Sequence, residues 1–151
     1  MLGGNARAYI AGLTNYRSGG VARWCGLFAA AMRTAAVGAT RFAEKLHKLQ
    51  GRWMERAGNP RADAAVTRLI PGLPAQPIVD VKTAEELCKC SNQAARLAML
   101  QLEKAGVLRQ VTLGKRNRAW EATELFDLLN QFERDLASPT AVGRPGRPVP
   151  R

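Results

Sequence analysis

Three features of the sequence predict a mainly α protein, in which a helical N-terminal segment is followed by a small helix-turn-helix that carries a β-hairpin. Apolar residues recur at three- and four-residue steps from Val21 to Trp53, the period of a single helix face. Two helix-start signals, Thr83-Ala84-Glu85-Glu86 and Ser91, are separated by room for only about two helical turns. Beyond Gly106 come two short β-type runs flanking Leu113-Gly114-Lys115-Arg116-Asn117. Helix, turn, helix and hairpin in that order make a winged helix-turn-helix.

The elements follow in chain order. Ala6 to Asn15 reads as a helix closed by Ser18-Gly19-Gly20. The stripe Val21, Trp24, Phe28, Ala31, Ala35, Gly38, Phe42, Leu46, Leu49 and Trp53 then predicts one helix from Val21 to about Ala57, roughly 55 Å long at the α-helical rise. A stripe of that length needs a packing partner larger than the first helix. Gly58-Asn59-Pro60 ends it and is expected to start another helix, with Asn59 as cap and Pro60 at the first helical position, running to Ile70. Pro71, Pro74 and Pro77 form a stiff connection, and Ile78 to Val81 allows a short strand. Thr83 and Glu86 make a capping box, in which the hydroxyl accepts from the backbone at Glu86 and the glutamate reaches back. The second helix, Asn92 to Ala105, is capped by Ser91. Its expected apolar stripe is Leu97, Leu100 and Leu102 with Ala94, Ala98 and Ala105, and Gly106 supplies a left-handed end. Val107 to Thr112 and Ala119 to Ala122 are the hairpin strands. The expected organisation is thus a helical segment over 1–70, a proline-rich linker over 71–77, the winged helix-turn-helix over 78–136 and a disordered basic tail over 137–151.

Charge is unevenly placed. The net charge is +11 in 151 residues, yet acids and bases cancel between Val79 and Leu136, so the excess belongs to the N-terminal half and to Arg144, Arg147 and Arg151. Such a field draws nucleic acid or an acidic protein without choosing between them, and arginine-rich composition also follows from GC-rich coding. Three cysteines, with Cys88 and Cys90 close together and Cys25 far upstream, do not form a disulfide framework. His47 is the only histidine, so a four-ligand zinc site is not expected. Reduced thiols suit a cytoplasmic protein. Arg23 and Arg33 interrupt the apolar run from Val21 to Ala39, which argues against a membrane span, and the first residues do not read as an export signal.

The residues that point to function lie on the second helix and the wing. Asn92, Gln93 and Arg96 are residue types that pair with base edges in the major groove, and Ser91 caps the helix that would carry them. Lys115, Arg116 and Arg118 on the hairpin would neutralise phosphates, which positions a protein on DNA without reading sequence. The same residues are also ordinary first-turn helix residues and a solvated basic loop, so both readings stand at this point. Trp24, Phe28, Phe42 and Trp53 on the long stripe are core or protein-interface residues, the interface being self-association or a separate partner. Phosphate loops, nucleophile elbows and a histidine beside a candidate nucleophilic cysteine are all missing from the sequence. No cofactor is expected.

Taken together, Arg7-Ala8-Tyr9-Ile10-Ala11-Gly12-Leu13, Trp24 with Leu27-Phe28, the alanine-rich helix, Trp53, Arg61, Leu69-Ile70, Pro77-Ile78-Val79, Leu100 to Leu108 and Arg116-Asn117-Arg118-Ala119-Trp120 resemble the C-terminal part of bacterial Fic-family proteins. The resemblance spans most of Ala6 to Leu128 and lies in the ordered series. That family comprises AMP-transferases and relatives, in which a helical Fic core precedes a winged helix. Its catalytic loop, H-x-F-x-[DE]-G-N-G-R-x-x-R, supplies a histidine base, a metal-holding acid and a phosphate-binding turn. Nothing here matches it: His47 is followed by Lys48-Leu49-Gln50-Gly51-Arg52 within the helical stripe.

The resemblance implies a partial Fic-like core, a winged helix and no catalysis by this chain as it stands. Met1 would be a late start, from a truncated gene, a mis-called start codon or a separately encoded remnant. Three functions are compatible with these residues. The first is a non-catalytic region whose winged helix contacts DNA or regulates by binding. The second is a module that docks on a protein such as an intact Fic core. The third is a truncated AMP-transferase whose catalytic half is encoded elsewhere.

Overall fold

The computed structural model describes residues 6–113 and 117–137. It is mainly helical with one small antiparallel sheet, as expected: α1 (Ala6–Arg17), α2 (Val21–Arg56), α3 (Ala65–Gly72), β1 (Ile78–Val79), α4 (Val81–Cys88), α5 (Asn92–Lys104), β2 (Arg109–Leu113), β3 (Asn117–Glu121) and α6 (Thr123–Ala137). The chain divides into two compact units. One contains Glu44–Leu129; the other contains Met1–Ala43 with Asn130–Arg151. The segment read as a disordered basic tail falls, from residue 138 onward, outside the described residues.

In the first 43 residues, α1 and the start of α2 form a helical hairpin. Gly19 makes the reversal at φ +92°, and the Trp24 ring lies between Tyr9 and Phe28, with centroids 5.6 and 6.4 Å away. Gly12 permits the close approach, because a Cβ there would meet the Trp24 ring at 2.8 Å. Further along the same unit, Phe42 packs on Phe132 of α6 at 4.8 Å between centroids.

The 44–129 unit holds the core. Leu49 and Trp53 from α2, Leu69 from α3, Met99 and Leu102 from α5 and Leu125 from α6 are all buried. The end of α2 is set by two backbone bonds, from Gly58 N to Glu55 O at 2.9 Å and from Asn59 N to Met54 O at 3.0 Å. These form a Schellman termination with Gly58 left-handed. Asn59 also has positive φ, +47°, so it cannot take the extended conformation of an N-cap, and the helix expected from Pro60 starts only at Ala65. Nor does the expected stiff linker over 71–77 lie wholly outside the helices and the core. Pro71 lies in the last turn of α3, and Leu73 is fully buried. Helix α3 therefore belongs to the same core as α4 and α5.

In the order α3-β1-α4-α5-β2-β3, with sheet order β1-β3-β2, two consecutive helices precede a β-hairpin whose second strand also pairs with β1. Val79 pairs with Trp120, and Arg109 stands opposite Glu121. Helix α4 begins two residues before the Thr83 capping box because Asp80 is the N-cap, its Oδ1 accepting from Thr83 N at 2.8 Å. Lys89 in the left-handed region (φ 47°, ψ 53°) makes the turn. Ser91 then caps α5 as expected, with Oγ accepting from Ala94 N at 3.3 Å. Val107 N to Leu102 O and Gly106 N to Glu103 O, both 2.9 Å, close α5 in a second Schellman motif with Gly106 at φ +68°.

One position in this unit is sub-optimal. Gly51 is an exposed residue of α2, and a Cβ built on it has nothing within 4 Å. Glycine in a helix interior costs about 0.5–1 kcal/mol relative to alanine. Gly51→Ala is therefore expected to stabilise the protein by that amount, seen as a raised urea midpoint at unchanged slope.

Candidate functional site

Helix α5 is fixed on three sides. Ala95, Ala98, Met99 and Leu102 face the core. Gln101 Nε2 donates to the Ala57 carbonyl at the end of α2, at 2.8 Å. Glu103 Oε2 accepts from the Trp120 indole of β3 at 2.9 Å, tying the hairpin to the helix. A cross-strand pair, Arg109 Nε donating to Glu121 Oε1 at 3.0 Å, sits at the hairpin base. The hairpin and the helix are thus held as one piece.

The remaining face of α5 points outward. Asn92, Gln93, Arg96, Leu97, Leu100 and Lys104 are exposed on it. The placement of Leu97 and Leu100 differs from the sequence expectation, which had them on the buried stripe. The inward face runs through residues 95, 98, 99 and 102, and the two leucines lie well over a quarter turn away at 100° per residue. They are 60% and 55% exposed.

Asn92 and Arg96 form a linked set. Arg96 Nε donates to Asn92 Oδ1 at 2.9 Å, and Asn92 Nδ2 donates to Glu85 Oε1 on α4. This holds the arginine through its Nε. Ser91 spends its hydroxyl on the cap. Arg118 is exposed on β3, opposite Thr112. Lys115 and Arg116 lie outside the described residues. The sequence had singled out Asn92, Gln93 and Arg96, and the structure brings them together on one helix end. Glu85, which holds Asn92, has no sequence signal for that role beyond its place on the preceding helix.

The four stripe residues expected at an interface separate. Trp53 is not available to a partner, since it is fully buried within the 44–129 unit. Its Nε1 donates to Glu124 Oε2 at 2.6 Å, and Arg56 donates to the same oxygen. Phe42 is half-buried against Phe132. Trp24 is half-buried between its two aromatic neighbours, and Phe28 is 44% exposed.

Titratable groups report the same architecture. Burial raises the Glu124 carboxyl, but hydrogen bonds from Trp53 and Arg56 and the charges of Arg56 and Arg52 outweigh it, so its pKa lies below the ordinary value. The backbone hydrogen bond from Thr83 lowers Asp80. Both carboxyls are depressed in the folded state, so their contribution is present above the unfolded carboxylate range and is lost as pH falls through the folded values. The urea midpoint is expected to be flat near neutrality and to fall below about pH 4. Asp80→Asn, which keeps a capping side chain, should shallow that acid limb. Cys88 is pushed up to about 11 by burial and by Cys90 beside it, and its Sγ donates to the Ala65 carbonyl at 3.3 Å. It is a packing residue. Cys25 is exposed on α2.

Among the described residues no group of three or more His, Cys, Asp or Glu could hold a metal ion. His47 is an exposed helix residue of α2. No described helix is long and apolar enough to cross a membrane. No protein-family model matches the chain, and no curated protein matches it.

Proposed function

We propose that the chain is a non-catalytic Fic-like C-terminal region whose winged helix binds duplex DNA, with α5 in the major groove and the hairpin on the backbone. The observation that carries this is the outward face of α5. It holds Gln93, Arg96 and Lys104, and the single acid of the helix, Glu103, is half-buried and taken up by Trp120. A helix face with cations and amides and no exposed acid of its own, the neighbouring Glu85 being taken up by Asn92, complements the groove of a polyanion. The core beneath it contains no buried polar or charged residue among those described, so the surface is where this unit's chemistry lies. The Fic relationship rests on the ordered sequence resemblance.

The test is a titration of fluorescent duplex DNA with the full chain between about 50 and 200 mM salt, where neutralisation of several phosphates makes affinity fall steeply. A protein ending at Leu136 is run beside it. Salt-sensitive binding that survives the truncation is expected; binding that disappears with the tail would overturn the assignment to α5 and the hairpin.

A second reading, docking on a protein partner, is favoured by one observation. In the other unit, Ile10 and Met32 are 62% and 57% exposed on α1 and α2, and Phe28, one turn before Met32, is exposed as well. If it holds, Phe28→Ala and Met32→Ala will reduce capture of an intact Fic core while leaving DNA titrations unchanged.

A further inference from the structure

Folding gives no reason for Leu97 and Leu100 to be leucine. The inward face of α5 is complete without them, and polar residues at both positions would leave the core intact. Within the described part of 44–129, the exposed large hydrophobic residues are these two and Ile78. The unit therefore concentrates its apolar exposure on the surface that a helix-turn-helix offers to a partner.

Gln93, Arg96, Leu97 and Leu100 stand at i, i+3, i+4 and i+7, which places them on one helix face. Lys104 extends that face by one turn. The result is an apolar centre bordered by an amide and two cations. The major groove at thymine has the complementary layout, with 5-methyl groups on its floor and phosphates along its walls. A second copy of this chain fits worse, because the same face docked on itself brings Arg96 and Lys104 towards their own counterparts, and the acid nearest them, Glu85 of α4, is already taken up by Asn92. The spacing also suits the duplex: Leu97 and Leu100 are about 4.5 Å apart along the axis at the helical rise, close to the step of about 3.4 Å between base pairs.

We infer that Leu97 and Leu100 read thymine 5-methyl groups on neighbouring base pairs, so that α5 selects thymine-containing sites. This rests on the DNA-binding reading above and adds the base class that is read. Arg96 and Gln93 beside them supply hydrogen bonds to the flanking base edges, and the two leucines supply the discrimination that hydrogen bonds alone do not give.

The experiment needs no knowledge of the natural site. The full chain is titrated with a short alternating dA-dT duplex and with the same duplex carrying deoxyuridine at every thymidine, which removes only the methyl groups. An alternating dG-dC duplex gives the baseline. Affinity for the thymine duplex is expected to exceed that for the uracil duplex by about tenfold, from two buried methyl contacts. Leu97→Ala/Leu100→Ala should bring that ratio close to one while keeping the helical circular dichroism, since both side chains lie outside the core. Equal affinity for the two duplexes, with salt-sensitive binding to all three, overturns thymine reading and leaves DNA binding standing. Absence of binding to any of the duplexes at low salt overturns both. A dimer in sedimentation that the double substitution dissolves, with no thymine preference, overturns the inference in favour of contact between copies.

Discussion

Trp53→Ala is expected to destabilise the 44–129 unit by about 4 kcal/mol, the range measured when a buried tryptophan is cut to alanine. The side chain is 0% exposed, among the largest fully buried groups, and its loss leaves a cavity in the core of that unit. It also removes the indole donor to Glu124, leaving Arg56 as the partner of that carboxylate. Trp53→Phe separates the two effects. It keeps most of the apolar volume and drops only the donor, so it should cost about 1–2 kcal/mol, the scale of one lost hydrogen bond to a charged group plus a small void. Urea unfolding followed by circular dichroism measures both. A Trp53→Ala variant within about 1 kcal/mol of the parent would mean that α2 is an appendage of this unit and not part of its core.

How much of this was legible in the sequence depended on how local the deciding interaction was. Ser91 and Gly106 act on their own helix ends through one or two backbone groups, and both were readable. The start of α4 departs from the sequence expectation because two capping residues compete within three positions. Asp80 takes the Thr83 amide, and a carboxylate cap earlier in the chain extends the helix past the threonine. Asn59 was misread for a related reason: after Gly58 the chain is still in the left-handed region, which the Gly-Asn-Pro pattern does not reveal. Non-local features were the least legible. Leu97 and Leu100 fit a three-to-four-residue period as well as Ala95, Ala98 and Met99 do, and only the position of α3 and α4 decides which set turns inward. Trp53 belonged to a stripe whose early residues lie on one unit and whose last turns are core to the other, a change that periodicity cannot show.

Arg96→Ala is expected to weaken binding to duplex DNA by about 1–3 kcal/mol, or roughly five- to 150-fold, and to relax preference at the base pair it faces. The effect should be larger than for Gln93→Ala, because the structure invests in Arg96: Asn92 holds its Nε, and Glu85 holds Asn92. That arrangement fixes the guanidinium before binding, so less side-chain entropy is lost when it meets a base edge. It also carries a cost, since Glu85 sets a negative charge near the helix end that would enter the groove. The two effects predict different outcomes for two variants. Arg96→Lys retains the charge but not the planar fork, and should lose most of the affinity lost by alanine. Glu85→Gln keeps an acceptor for Asn92 and removes the repulsion, so it should bind DNA in general more tightly while leaving base preference unchanged. If Arg96→Lys instead binds like the parent, arginine acts only as a charge near phosphates, and the Glu85-Asn92-Arg96 set serves the turn between α4 and α5 and not recognition.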